Sequence, residues 1–399
     1  MVGLLRACAA RRVAAVPFGG GTSVVAGLRA RRSGYAGVVA VDPVSRTATL
    51  EAGVLAPRAE ELLAAHGFTL GHFPQSFEYA TIGGFAATRS SGQASAGYGR
   101  FDQLVVGLRV ATPGGTVAVG RAPQSAAGPD LRQLFLGSEG AFGILTEVTV
   151  RVRPAPAARR YSGWGFESFA AGADAVRSLA QDGPLPTVLR LSDESETAAG
   201  GSGPHGGCLA VVGVEGGVDD VARRQAEVSA RLAALGGEDL GPEPGEAWRR
   251  GRYAGPYLRD ALLDAGALAE TLETATFWGN LPDVYDAVRE ALVADLTAQG
   301  TPPLVLCHIS HVYPTGASLY FTVLAAQADD PVGQWQRAKA AASDAIADSG
   351  ATISHHHGVG RDHLPWYAEE IGPLGLAALR AVKDTLDPAG ILNPGILLP

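Results

Sequence analysis

The sequence predicts an α+β fold in two domains with a C-terminal return, and three observations carry that reading. Up to residue 153, short runs rich in Val, Thr and Gly are broken by turns, which is the pattern of strands. "RPAPAARR" at 153–160 is a proline-bearing connector of the kind found at domain boundaries. Beyond it, apolar runs alternate with longer helical patterns, which suits an antiparallel sheet with helices on one face. The expected divisions are residues 1–153, residues 154–353, and a closing segment, 354–399, that returns to the first domain.

Taken in order, "MVGLLRACAARRVAAVPFGGG" reads as a helix running into a strand, because Arg6, Arg11 and Arg12 interrupt any signal-peptide core and no small-residue cleavage site follows. "GVVAVD", "TATLEAGV" and "GILTEVTVRVRP" read as strands, and "LVVGLRVATPGGTVAVG" as a hairpin turning at its Pro-Gly-Gly. "LAPRAEELLAAHG" has helical apolar spacing and a Gly stop. In the second part "CLAVVGVEG" is a strand before the helix "VDDVARRQAEVSARLAALGG". "LAETLETATFW" before "PDVYDAVREALVADLTAQG" repeats that order. "PLVLCHISHVY" and "SLYFTVLAA" form a paired hairpin. The tail is a helix, the histidine segment "SHHHGVG", another helix and an apolar end.

A chain of 399 residues with 46% hydrophobic and 18% charged residues can bury a core in each domain without cross-links. A net charge of −8 and a pI near 5.6 argue against nucleic acid or anionic lipid as the main partner, since both call for a basic field. Cys8, Cys208 and Cys307 are odd in number and widely spaced, so neither a disulfide framework nor a zinc site is expected, and a cytoplasmic location is. No run approaches the ~20 apolar residues of a membrane span, which leaves peripheral contact with a membrane as the only lipid association the reading allows. A homodimer is compatible with the sequence.

Chemistry first shows in the glycines. "PFGGGTSVVAGL" at 17–28 has Gly19, Gly20 and Gly21 in succession, with Thr22 and Ser23 beside them. Such a loop is either a structural turn or a place where backbone N–H groups converge on an anion. It is neither a GxGxxG nor a Walker loop. Glycine clusters recur at 74–105 and 134–150, and three in one domain suit an elongated ligand bearing a pyrophosphate. Adjacent His355, His356 and His357 cannot all face one way; a subset can move protons near neutral pH, against the alternatives of a structural cluster or a metal site, for which adjacency is poor geometry. Tyr320 sits in a strand-like run, where position alone favours a half-buried packing residue, and Arg190 and Arg259 could be surface ion pairs.

"PFGGGTSV", "TIGGFAATRSSG" and "GSEGAFGILTEVTVRVRP" together resemble the PCMH-type flavin domain of the vanillyl-alcohol oxidase/p-cresol methylhydroxylase superfamily. The resemblance implies FAD held at Pro17, Gly19, Gly20, Gly21, Thr22 and Ser23, and at Thr81, Gly83, Gly84, Thr88, Ser91 and Gly92, with Glu139, Gly143 and Ile144 toward the adenine. It implies non-covalent flavin, because Thr22 stands where relatives with covalent flavin carry His, and the second cluster has no Cys. Only 16 residues precede Pro17, where the family normally has a full strand and helix, so the expectation is either a truncated start or a flavin domain without an edge strand. The second half, through "PTVLRLSD", "PYLRDALLDAGALAETLETATFW", "SLYFTV" and "SHHHGVG", resembles the alkylglycerone-phosphate synthases. That implies exchange of the acyl group of acyl-dihydroxyacetone phosphate for a fatty alcohol through a flavin N5 adduct. Tyr320 and the histidines then handle protons, and Arg190 and Arg259 bind the head group. The rival reading is an FAD-dependent 2-hydroxy-acid dehydrogenase, whose His-Gly-Asp-Gly-Asn-Leu-His run would align with "YPTGASLY"; Gly316, Ser318 and Tyr320 replace its Asp, Asn and last His. A non-catalytic flavoprotein is the third.

Overall fold

The computed structural model describes residues 1–22, 37–201, 203 and 206–398. The chain is α+β and forms two compact units. The first comprises residues 1–92, 99–155 and 356–399; the second comprises 93–98 and 156–355.

The first unit is built on a five-stranded antiparallel sheet in the order Val38–Asp42, Thr47–Glu51, Ile144–Arg151, Val105–Thr112 and Gly115–Val119. Alternation sets its core: Leu108 lies opposite Val148, and both are buried together with Val110 and Val150 two residues along each strand. Helix Ala56–Ala64 buries Ala56, Ala59 and Leu63, which share one face at helical spacing. The chain end closes this core, since Ile396, Leu397 and Leu398 are buried within it. Helix Leu364–Leu386 bends at Gly372, whose φ of 68° precedes Pro373.

The opening helix, Val2–Arg11, forms as expected, but the strand expected after it does not. Ala15 alone makes a parallel bridge, to Leu392, with its N–H on the Ile391 carbonyl at 2.7 Å and its carbonyl on the Asn393 N–H at 3.0 Å. Pro17, two residues on, has no N–H with which to extend the ladder.

The second unit is a seven-stranded antiparallel sheet in the order Glu238–Asp239, Ala158–Phe166, Cys208–Gly216, Val188–Ser192, Leu304–Val312, Gly316–Ala326 and Ala267–Phe277. Helices Phe169–Asp182, Val218–Ala234 and Leu281–Ala298 cover one face. Gly172 of the first abuts Leu191, Gln225 of the second reaches Ser162, and Phe169 stacks on Tyr285, which stacks on Phe321. Helix Pro331–Asp348 packs beside Leu281–Ala298. Capping residues start two of these helices: Ser168 accepts from the Ala171 N–H and Asp330 from the Gly333 N–H. The opposite face carries Arg190, Ser192, His308, Tyr320 and Glu273 among apolar residues such as Val211 and Leu306, and helix Glu243–Gly251 lies over one edge of it, with Trp248 against Tyr161.

Candidate functional site

Three glycine-rich segments that are distant in sequence meet in the first unit. A side chain at Gly19 would begin 2.7 Å from the Thr81 hydroxyl, and one at Gly20 would overlap the carbonyl oxygen of Tyr79, so the first segment lies directly on the second. Thr81 caps the short helix Ile82–Ala87 by accepting from the Gly84 N–H at 3.1 Å, and the Thr88 hydroxyl donates to the Gly84 carbonyl at 3.1 Å. Gly83 packs against Ala52. The third segment joins through the N–H groups of Gly137 and Glu139, which bond the carbonyls of Ala86 and Ala87 at 3.0 and 2.9 Å, and Pro17 rests on Gly140.

This arrangement fits a flavin dinucleotide. The glycines of the Gly19–Gly21 turn and of the capped helix are packed against Thr81, Tyr79, Phe18 and Ala52, and what their missing side chains allow is the close approach of two segments whose backbone amides would hold a pyrophosphate. Thr22 is exposed next to them, and Ser23 lies outside the described residues. Ser91 is buried, Gly92 sits tight against the backbone of Phe73 and the ring of His72, and Gly143 backs onto Val110. Ile144 opens its strand opposite Ala111.

Glu139 has a further job. Its carboxylate accepts from the N–H of Val359 at 2.5 Å and of Gly360 at 2.8 Å, while its own carbonyl accepts from the Asn393 amide. Burial pushes this carboxyl above its usual range, and the two amide bonds oppose the shift. It therefore holds the turn that follows His356 and His357, whose half-buried rings meet edge to face at 4.9 Å between centroids. His72 is buried between Phe85 and Phe101 and bonds Ser90 at 3.1 Å. Burial, aided by the charge of Arg100, lowers it to about 3, so it is a neutral imidazole at physiological pH.

In the second unit the strand register places Ser192, His308, Tyr320 and Glu273 directly opposite one another on four successive strands, and therefore on one face. Glu273 is 1% exposed and accepts from the Ser354 hydroxyl at 2.8 Å and from the His355 N–H with both carboxylate oxygens, at 3.1 and 2.9 Å. The ring of His355 bonds the Tyr313 hydroxyl at 2.6 Å and stacks on His311 at 5.0 Å, and His311 bonds Ser95 at 2.8 Å. The segment 93–98 is pinned to the same unit by Glu215, a buried carboxylate that accepts from Tyr98 at 2.8 Å and Tyr161 at 2.6 Å.

Tyr320 stacks on His308 with ring centroids 4.8 Å apart. Burial pushes its hydroxyl above the ordinary range; a bond with Thr271 opposes the shift and the charge of Glu273 adds to it. Arg190 pairs with Glu196 at 2.7 Å, and Glu196 also meets His308 at 3.1 Å. Arg259 pairs with Glu270 at 2.5 Å, on helix Gly255–Asp264, of which no residue is buried. Both arginines thus already have carboxylate partners.

The sequence reading missed Glu273, Glu196, His308 and His311. Glu273 left little trace, because its strand also carries Glu270, Thr271, Thr274 and Thr276, and only its register opposite Tyr320 sets it apart. His311 left none: a bulge between Ile309 and Val312 inserts one residue and resets the alternation that would have placed it.

A family model for the FAD binding domain matches residues 1–120, and one described as FAD linked oxidases, C-terminal domain, matches residues 155–397. The chain belongs to the FAD-linked oxidase family. Alkyldihydroxyacetonephosphate synthase of Trypanosoma brucei brucei is 34% identical across 97% of this chain and 69% of its own length. That of Dictyostelium discoideum is 32% identical with the same shares. A solved structure of alkyldihydroxyacetonephosphate synthase superposes with a TM-score of 0.82 at 30% identity, covering 98% of this chain and 74% of that one. This family member is an FAD-dependent enzyme similar to alkyldihydroxyacetonephosphate synthase, with the flavin domain of the PCMH type. No helix among the described residues is long and apolar enough to cross a membrane.

Proposed function

We propose that the protein exchanges the acyl group of acyl-dihydroxyacetone phosphate for a fatty alcohol, with FAD held non-covalently in the glycine cradle. The supporting observation is Tyr320, a proton-bearing hydroxyl set in a row of polar groups on an otherwise packed sheet. When bound, FAD would supply a ring nitrogen that holds the carbon beside the ketone between the departure of acylate and the arrival of alcohol, so the exchange would need no net redox change. Tyr320 moves the proton that must leave and return as acylate departs and alcohol enters. His356 and His357 serve the alcohol proton, and the turn fixed by Glu139 orients them. His355, with its backbone and ring both engaged, has a positioning part. Arg190 and Arg259 bind the phosphate, each turning part of its guanidinium from a carboxylate to the head group. A lipid-like substrate and the exposed Tyr257 and Leu258 support peripheral contact with a membrane.

Anaerobic absorbance spectra of the flavoprotein test this reading. Acyl-dihydroxyacetone phosphate should bleach the flavin with no external acceptor, and fatty alcohol should restore the oxidised spectrum. Stable reduction by a 2-hydroxy acid, with no response to the acyl ketone phosphate, would instead establish a dehydrogenase.

A further inference from the structure

Tyr320 has a neighbour whose place in the chemistry is unassigned. His308 is 4% exposed, lies opposite Tyr320 in register, and presents its ring almost parallel to the phenol, at 22° between planes. Its Nδ1 sits 3.2 and 3.1 Å from the two carboxylate oxygens of Glu196, which is oriented in turn by Arg190. The ring is therefore held on one edge by a carboxylate and on one face by the phenol.

The charges that face this pair come from three elements. Glu196 is on helix Glu194–Gly200, Arg190 on the strand beside His308, and Glu273 on the strand beyond Tyr320. Burial alone would raise the Glu196 carboxyl, but Arg190 and His308 outweigh it and hold it at about 2. Glu273 accepts three hydrogen bonds from N–H and O–H donors, as an ionised carboxylate does. Buried charge is tolerated when it is paired, and a protonated His308 donating from Nδ1 pairs with the Glu196 carboxylate.

We propose that His308 is a positioning residue for Tyr320: paired with Glu196 and flat against the phenol, it stands there as an imidazolium that fixes the ring and eases release of the hydroxyl proton. It keeps its own proton throughout; the proton that moves is that of Tyr320, given to the departing acylate and restored when the incoming alcohol gives up its own. The inference rests on the reading of Tyr320 as the proton-handling hydroxyl and adds a group that acts through it.

The test is a titration of the holoenzyme carrying ¹³Cζ-tyrosine, with the Tyr320 resonance assigned from Tyr320→Phe. In His308→Phe, which keeps the stack and loses the charge, the Tyr320 midpoint should rise by about one pH unit, a tenfold loss of acidity. His308→Gln, which keeps a polar group toward Glu196, should shift it the same way. Turnover should fall about tenfold at neutral pH, with KM nearly unchanged and the kcat profile displaced to higher pH. Flavin content reports whether the fold stands. An unmoved Tyr320 midpoint in both variants overturns the proposal. So does a neutral His308 in the ¹⁵N-histidine spectrum of the parent at neutral pH, a measurement that needs no variant to fold. The titrations use no substrate, so a parent that fails to process acyl-dihydroxyacetone phosphate would sink the exchange reading alone.

Discussion

The glycine cradle of the first unit works by omission, while the polar sheet face of the second works by presence. Gly19, Gly20 and Gly83 let their segment approach Thr81, Tyr79 and Ala52 where any side chain would collide, and their role follows from what they lack. His308 and Glu273 are large, buried and polar, with the half-buried Tyr320 between them in register, and each is tolerable because its neighbours complete its hydrogen bonds and charge. The same contrast holds for two histidines. His72 is enclosed by aromatic rings and kept neutral, whereas His308 is held by a carboxylate. A cradle of the first kind should fail abruptly on any added bulk; a face of the second kind should lose chemistry while keeping its shape.

The sharpest test of the first half is Gly20→Val. Because the first added carbon already overlaps the Tyr79 carbonyl, the loop must move before any ligand is involved, and about 3 kcal/mol of stability should be lost together with flavin. Denaturant midpoints and flavin-to-protein ratios measure both; a variant as stable and as yellow as the parent would dissolve the contrast. Tyr320→Phe tests the other half: turnover should drop about 10²-fold while flavin content and melting temperature stay close to the parent.

Glu139→Ala probes a residue that belongs to both styles. Removing the carboxylate leaves the Val359 and Gly360 amides without their acceptor, at a cost of about 2 kcal/mol. The turn after His356–His357 should loosen, which hydrogen exchange at 359–360 would report as faster opening. Glu139→Gln, which still offers an amide oxygen, should recover part of the protection.

The smallest effect separates the two histidines. At pH above 6.5 neither folded nor unfolded His72 is charged. As pH falls below 6.5, the unfolded chain takes up a proton that the folded protein refuses until about 3, so His72 costs stability progressively across that window. His72→Gln should flatten this part of the stability–pH curve relative to the parent. Parallel curves would mean that His72 is protonated in the folded state after all.

Much of the fold was legible because its signals are local. Strand alternation, helical spacing and turn glycines act within a few residues, and nearly every strand and long helix expected from them is present. The strand expected at 13–18 was not, since whether an apolar run becomes a strand depends on a partner edge, and there the only partner among the described residues is Leu392 near the chain end. The cradle was legible for the same local reason, as consecutive glycines declare a close approach without naming what approaches.

What the sequence determined by itself, then, was the class of fold, the flavin chemistry implied by its glycine segments, and a short set of residues able to carry protons. Only the tertiary structure decided which of them stand together. A strand displays a residue every second position, but which residues lie across from it depends on register, and one bulge at 309–312 is enough to change that. Glu196 meets Arg190 and His308, and Glu273 meets Ser354 and His355, through pairings between segments up to 112 residues apart, and no local pattern encodes a distance of that kind.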